Sequence, residues 1–399
     1  LLRNESERVD TYGIVRVSFR LPQDVTVQQL RERAFAMARD AEVLRMTEIS
    51  LEADSVTYAR DVTVPLRHLA AESLEDAEAA MSSAGPRTFP RQGRPLWELT
   101  TIEHPDSAGR RALSVCAAVD HVITDGYSMA LFRRGLEGLP VSPARRFSDW
   151  VSWQRNQYPT EYARRTAERE FWRRYLDGLP PDRAPTLPFC PNPTPPVSGV
   201  CHYRWRELQT SGTRLRAAAR KARATPAVVV LASVAAAIAA VGGDTDVTLK
   251  VTSIGRLPEY QNVQGLFADD VPVRVRHQSL ADAHHALEAA RTGWLDVFDH
   301  LTAPWYYILG LHLGYEPPAT RRAPQVLVNF IPWPVHVPSN RDLTLKRRPG
   351  SVTALELTVF GSKQGRFYFR CLHDPERFRP RGVEDFLTAC EESLVRLAS

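Results

Sequence analysis

The sequence predicts an α/β protein of two lobes. Strand-like alternation and helical periodicity are interleaved in both halves of the 399 residues rather than segregated. A proline-dense stretch at 179–199 separates the halves, with eight prolines between Pro180 and Pro196. Beyond it the mixed pattern restarts without any visible sequence repeat.

The elements follow in order. "GIVRVSFRLP" (13–22) alternates as a strand. Thr26 and Gln29 have capping-box spacing, and Val27, Leu30, Ala34, Met37 and Ala41 form a helical stripe. Strand-rich sequence covers about 48–64, and "GRPLWELTTIEH" (93–104) and "RALSVCAAVDH" (111–121) read as strands. The second of these is apolar on both faces, which marks it as central and buried. A helix follows Asp125-Gly126, and 161–178 is a charged amphipathic helix. In the second half a strand (200–208) and a helix (212–223) precede a core helix. That helix starts at Thr225 as N-cap with Pro226 at N1 and ends before Gly242-Gly243. Strands are expected at 246–256, 324–333, 353–362 and 366–374, with helices at 280–300 and 380–397.

Composition excludes several classes. The net charge of +5 comes almost wholly from arginine, since there are four lysines, and no basic block alternates with aromatics. Nucleic acid is therefore not an expected partner, whereas an acidic protein is compatible with the mild basicity. The five cysteines are scattered without a CxxC pair, which points to reduced thiols, a cytoplasmic location and no metal. No basic-then-apolar leader stands at the start, and the run 227–241 is too short to span a bilayer.

The chemistry concentrates in "VDHVITDGYS" (119–128). His121 shares a parity with Leu113, Val115, Ala117 and Val119 at the C-terminal end of the buried strand. Taken alone, such a histidine reads as a satisfied core residue. Three neighbours add a functional reading. Asp125 is a carboxylate in apolar surroundings that needs a cation. Gly126 permits close approach. The following helix aims its N-terminal amides at a developing oxyanion. His284-His285 reads as a solvated helix face.

"DHVITDG" resembles the HHxxxDG motif of the condensation domains of nonribosomal peptide synthetases, which belong to the chloramphenicol-acetyltransferase-like superfamily. Similar segments occur in the family's order: "AEVLRM" (41–46), "GRPLWEL" (93–99), "FWRRYLDGLP" (171–180), "SIGR" (253–256) with "VQGLFADDVPVRV" (263–275), and "PQVLVNF" (324–330). The resemblance implies two chloramphenicol-acetyltransferase-like lobes in a V around a central tunnel, lobe one at 1–178 and lobe two at 200–399. It implies an acyltransferase that joins a thioester on a carrier protein's phosphopantetheine to a carrier-bound or free amine, with no bound cofactor, metal or membrane. His121 would be the general base or positioning group, Gly126 the residue whose amide lies near the carbonyl, and Asp125 a structural partner of Arg256. Tyr127, Ser128, Ser253 and Asn329 would line the channel. Ester formation on an alcohol, or a recruitment role without catalysis, are the alternatives.

The sequence departs from the pattern at three places. Asp120 replaces the first histidine, either as a tolerated scaffold residue or as one that retunes His121 or marks a domain that no longer condenses. "LLRNESERVD" replaces the family's opening segment. Asp269-Asp270 replaces Asn-Thr or Asn-Leu, and a solvated loop is the expectation there.

Overall fold

The computed structural model describes residues 13–50, 55–86, 89–90, 92–158, 166–179, 185–191, 200–313, 325–334, 342–346, 354–361 and 365–399. Most of the proline-dense 179–199 and residues 161–165 of the expected charged helix lie outside this set. The chain forms two compact units. Leu1–Gln157 with Ile254–Ala268 make the first, and Tyr158–Ser253 with Asp269–Ser399 the second.

In the first unit, β1 (Ile14–Arg20), β4 (Leu66–Ala70), β5 (Trp97–Pro105) and β6 (Arg111–Asp120) form a sheet in the order β1-β6-β5-β4. β6 pairs antiparallel with both neighbours, so its apolar residues are covered by strands at both edges and buried on both faces. The helix α1 (Val27–Asp40) carries the capping box foreseen at Thr26 and Gln29, each side chain bonded to the other's backbone N–H. Its Leu30, Ala34 and Ala38 pack into the core with Leu99, Val115 and Ala117. A hairpin of β2 (Met46–Ser50) and β3 (Ser55–Tyr58) stands apart from this sheet. The remaining helices are α2 (Leu74–Ser83), α3 (Gly126–Leu136) and α4 (Phe147–Gln157).

The second unit is built on a seven-stranded mixed sheet in the order β11-β7-β13-β12-β10-β8-β9. Its strands are β7 (Val200–Glu207), β8 (Asp246–Ser253), β9 (Asp269–Arg276), β10 (Gln325–Pro334), β11 (Asp342–Lys346), β12 (Ala354–Gly361) and β13 (Phe367–His373). Around it lie α5 (Ala167–Tyr175), α6 (Gly212–Lys221), α7 (Pro226–Gly242), α8 (Ala283–Val297), α9 (Trp305–Leu313) and α10 (Pro380–Leu397). α7 is the expected core helix, capped by Thr225 and closed by Gly243 in the left-handed conformation. Apolar residues surround it on all sides, so it is buried among α8, α10 and the sheet rather than displaying one face. Among the described residues no single helix is long and apolar enough to cross a membrane.

One element boundary differs from expectation in a way that matters. β6 stops at Asp120, and His121 opens a 3-10 turn, His121–Ile123, instead of ending the strand.

Candidate active site

The site is assembled at the end of β6. The Asp120 N–H donates to the Leu96 carbonyl and the His121 N–H to that of Gly13, which fixes the last strand residue and the first turn residue from neighbouring backbone. The Asp120 side chain is buried, and its Oδ1 accepts from the Val122 N–H at 3.0 Å. It is thus the N-cap of the turn that carries the histidine. The backbone leaves the strand here because the carboxylate satisfies a donor that the next strand would otherwise have bonded.

His121 is partly exposed, yet its Nδ1 is buried and without a hydrogen-bond partner among the described residues. Among the described residues no carboxylate bonds the ring at that nitrogen.

Asp125 is the N-cap of α3, accepting from the Ser128 N–H at 2.6 Å. The same carboxylate accepts from the N–H groups of Phe267 and Ala268 at 2.9 and 3.1 Å, and from Arg256 Nη2 at 3.3 Å on both oxygens. Both side chains of the ion pair are 1% exposed. The Arg256 guanidinium also donates to the carbonyls of Tyr260 and Val263, and to Ser128 Oγ at 2.6 Å. It is stacked between the rings of Phe267 and Tyr127, 3.9 and 4.7 Å from their centroids. Burial lowers its pKa, and the Asp125 charge works against that shift.

Ser128, expected beside a channel, is fully buried. Its hydroxyl donates to the Gly265 carbonyl and accepts from the Gly265 N–H, at 2.6 and 3.0 Å. The Gln264 amide bridges the Ser128 carbonyl and the Phe132 N–H, 3.0 Å each, in the orientation that satisfies both of its ends. Residues 254–268 are thereby clamped onto α3, and Trp150 of α4 closes the far side against Tyr260, Val263 and Phe267. Gln264, Gly265 and Phe267 escaped the sequence reading. Ser128 had an available signal, since it sits three residues after a helix-capping aspartate.

His121, Asp120, Asp125, Gly126, Tyr127, Ser128 and Arg256 thus share the first unit. Gly126 opens α3 as its first residue and is partly exposed, as is Tyr127. Ser253 and Asn329 belong to the second unit. Ser253 is buried at the end of β8, and Asn329 is half-buried on β10 opposite Thr358.

Asp269-Asp270 is not a solvated loop, which corrects that expectation. The two residues start β9. Asp270 pairs with Lys250 at 2.7 Å and accepts from Thr252 at 2.8 Å. Burial, reinforced by the neighbouring Asp270 charge, pushes the Asp269 carboxyl up to about 6. His284 and His285 are exposed as expected, and His300 stacks on Phe171 with its Nδ1 2.8 Å from Glu168.

A family model described as "Condensation domain" matches residues 6–396. The chain belongs to the condensation-domain family. Condensation domains are in general acyltransferases of nonribosomal peptide and polyketide systems. Among solved structures, the condensation domain mediating chain release from the enacyloxin polyketide synthase is similar with a TM-score of 0.76. It is 17% identical, and the match covers 100% of this chain and 81% of that one. SgcC5 from Streptomyces globisporus has a TM-score of 0.72 at 15% identity, over 97% and 93% of the two chains. The X-domain from teicoplanin biosynthesis has 0.74 at 19% identity, over 100% and 93%. At these identities the likeness shows the fold. A search of curated proteins found no match.

Proposed function

We propose that this condensation domain transfers an acyl group from a carrier-protein phosphopantetheine thioester to an amine, forming an amide. The observation that carries the reading is the division of labour at "DHVITDG". Asp125 is wholly engaged by α3, Arg256 and residues 267–268, which leaves His121 as the titratable group for chemistry.

The acceptor nitrogen attacks the thioester carbonyl with its lone pair, a C–N bond forms, and charge develops on the oxygen. Collapse of that adduct breaks the C–S bond. The proton lost by the amine passes to His121 and on to the departing thiolate, so no acyl-enzyme forms and no proton is stranded. Because Nδ1 is buried, Nε2 is the nitrogen assigned to this transfer. The N–H groups of Gly126 and Tyr127 in the first turn of α3 supply donors for the oxyanion, that of Ser128 being bonded to Asp125.

The test is single-turnover transfer from an acyl-loaded carrier to a panel of amines and alcohols. His121→Ala is expected to lower the rate by about 10²–10⁴-fold with an unchanged melting temperature. Equal rates would remove His121 from the chemistry, and turnover with alcohols alone would make the protein an ester-forming relative. A second reading is recruitment of a partner enzyme, since an X-domain of this fold has been solved in complex with OxyB from teicoplanin biosynthesis. Wild-type protein that transfers to no acceptor yet retains a tailoring enzyme would support it.

A further inference from the structure

An open groove of about 270 Å³ lies where α6 hands over to α7 and the C-terminal end of α8 passes by. Val228, Leu295 and Phe298 give it an apolar lining, and Arg223 and Arg291 stand in its wall. Leu295 and Phe298 are 54% and 55% exposed, far more than side chains of their size and apolarity ordinarily are. The cations continue beyond the groove. Arg214, Arg216, Arg220, Lys221 and Arg223 are all exposed, α6 contains no acidic residue, and none of these cations has a carboxylate partner among the described residues. Asp296 on α8 and Asp299 in the 3-10 turn that follows it (Phe298–His300) stand beside the apolar pair without lining the groove, and the Asp296 charge acts on Tyr175 of α5.

Arg223 adds an independent observation. It is the one non-glycine residue with positive φ among the described residues, at +49°. Glycine or asparagine occupies such a helix-terminating position at lower strain. Here the position holds a long cationic side chain instead. The carbonyl of the same residue is held by Arg291 Nε at 3.2 Å, so both guanidinium-bearing residues are tied to one rim.

We propose that this groove docks an acidic amphipathic helix of a partner protein. The apolar side chains of that helix rest on Leu295 and Phe298, and its carboxylates meet Arg223, Arg291 and the cations of α6. Exposed apolar surface flanked by guanidinium groups with no carboxylate partner among the described residues complements that chemistry, since one contact desolvates the apolar pair and neutralises the rim. The partner's identity as the thioester carrier rests on the function proposed above; the docking does not.

The experiment is fluorescence anisotropy on the full chain with a labelled, helical peptide of ~18 residues bearing leucines on one face and glutamates beside them. A matched peptide with lysines for glutamates is the control. The glutamate peptide is expected to bind, and the lysine peptide to bind at least ~10-fold more weakly. Arg223→Glu with Arg291→Glu, and separately Leu295→Asp, should weaken the glutamate peptide ~10-fold or more, with the charge-reversed pair also losing the salt dependence. Equal binding by wild type and variants, or no binding by wild type, overturns the proposal. So does wild-type self-association abolished by the same substitutions, or capture by phosphatidylglycerol vesicles without peptide binding. Transfer from a small acyl-pantetheine thioester is expected to be unchanged in these variants. Absence of transfer from the acyl-loaded carrier to every acceptor in wild type would refute the proposed function and leave the docking result standing.

Discussion

Asp125 shows how many separate groups one carboxylate can hold in place. It is buried beside Arg256, caps α3 and accepts from two backbone N–H groups of residues 267–268. Removing either charge leaves the other buried and unpaired, so Asp125→Ala and Arg256→Ala are each expected to lose about 3–5 kcal/mol of stability. Thermal melts check this, and the double variant should cost less than the two losses together. The pair was legible in the sequence through the similarity of "DHVITDG" and "SIGR" to family segments. Its surroundings were not, because a backbone N–H leaves no mark on residue identity. Asp120 was legible only as a departure. In the structure it holds the turn bearing His121 through the Val122 N–H. Asparagine keeps that acceptor, so Asp120→Asn should retain transfer activity while Asp120→Ala loses about 1 kcal/mol of stability and part of kcat. If Asn falls as far as Ala in kcat, the charge and not the cap is what matters. Ser128 was misplaced at a channel because its hydroxyl bonds a residue far along the chain, at Gly265.

At the scale of elements, local chemistry was decisive where it is self-contained. The Thr26/Gln29 box, the Thr225-Pro226 start of α7 and the doubly buried β6 depend on neighbours within a few residues or on unbroken apolarity. The segment Ile254–Ala268 had no such periodicity to reveal it. It is held by backbone conformation and side-chain clasps. Gly255 adopts φ +59°, and a Cβ there would be driven into the Phe267 carbonyl. Gly255→Ala is therefore expected to destabilise the protein by about 2 kcal/mol or more, through the left-handed strain and the clash combined. Denaturant titration followed by Trp150 fluorescence reads this out, because Trp150 packs on Phe267 at 5.2 Å.

Across the whole molecule, two buried titratable groups of the second unit pull stability in opposite directions with pH. The Asp269 carboxyl is raised to about 6 by burial, so its neutral form suits the fold. Its contribution is full below pH 3.8 and fades as pH rises through about 6. His373 is fully buried, both ring nitrogens lack a hydrogen-bond partner among the described residues, and burial lowers its pKa from 6.5 to about 4. Its contribution is full above 6.5 and fades as pH falls through about 4. Between pH 4 and 6.5 the two trends oppose each other. His373→Leu should reduce the loss of melting temperature on acidification from pH 7 to 5, and Asp269→Asn should reduce the loss on going from pH 4 to 6.5. Unaltered profiles in both variants would disprove the assignment. The excursion at Ile254–Ala268 also sets an order of events. It leaves from Ser253 and returns at Asp269, residues paired across β8 and β9, so the chain lends a finger to the first unit and takes the strand back where it left off. During synthesis the first 157 residues emerge with Asp125 lacking its cation. They wait for more than a hundred further residues, about 5–20 s at ribosomal rates, before Arg256 and its clasp arrive. The unit that carries His121 is thus begun before the second unit and completed only after part of that second unit has been made.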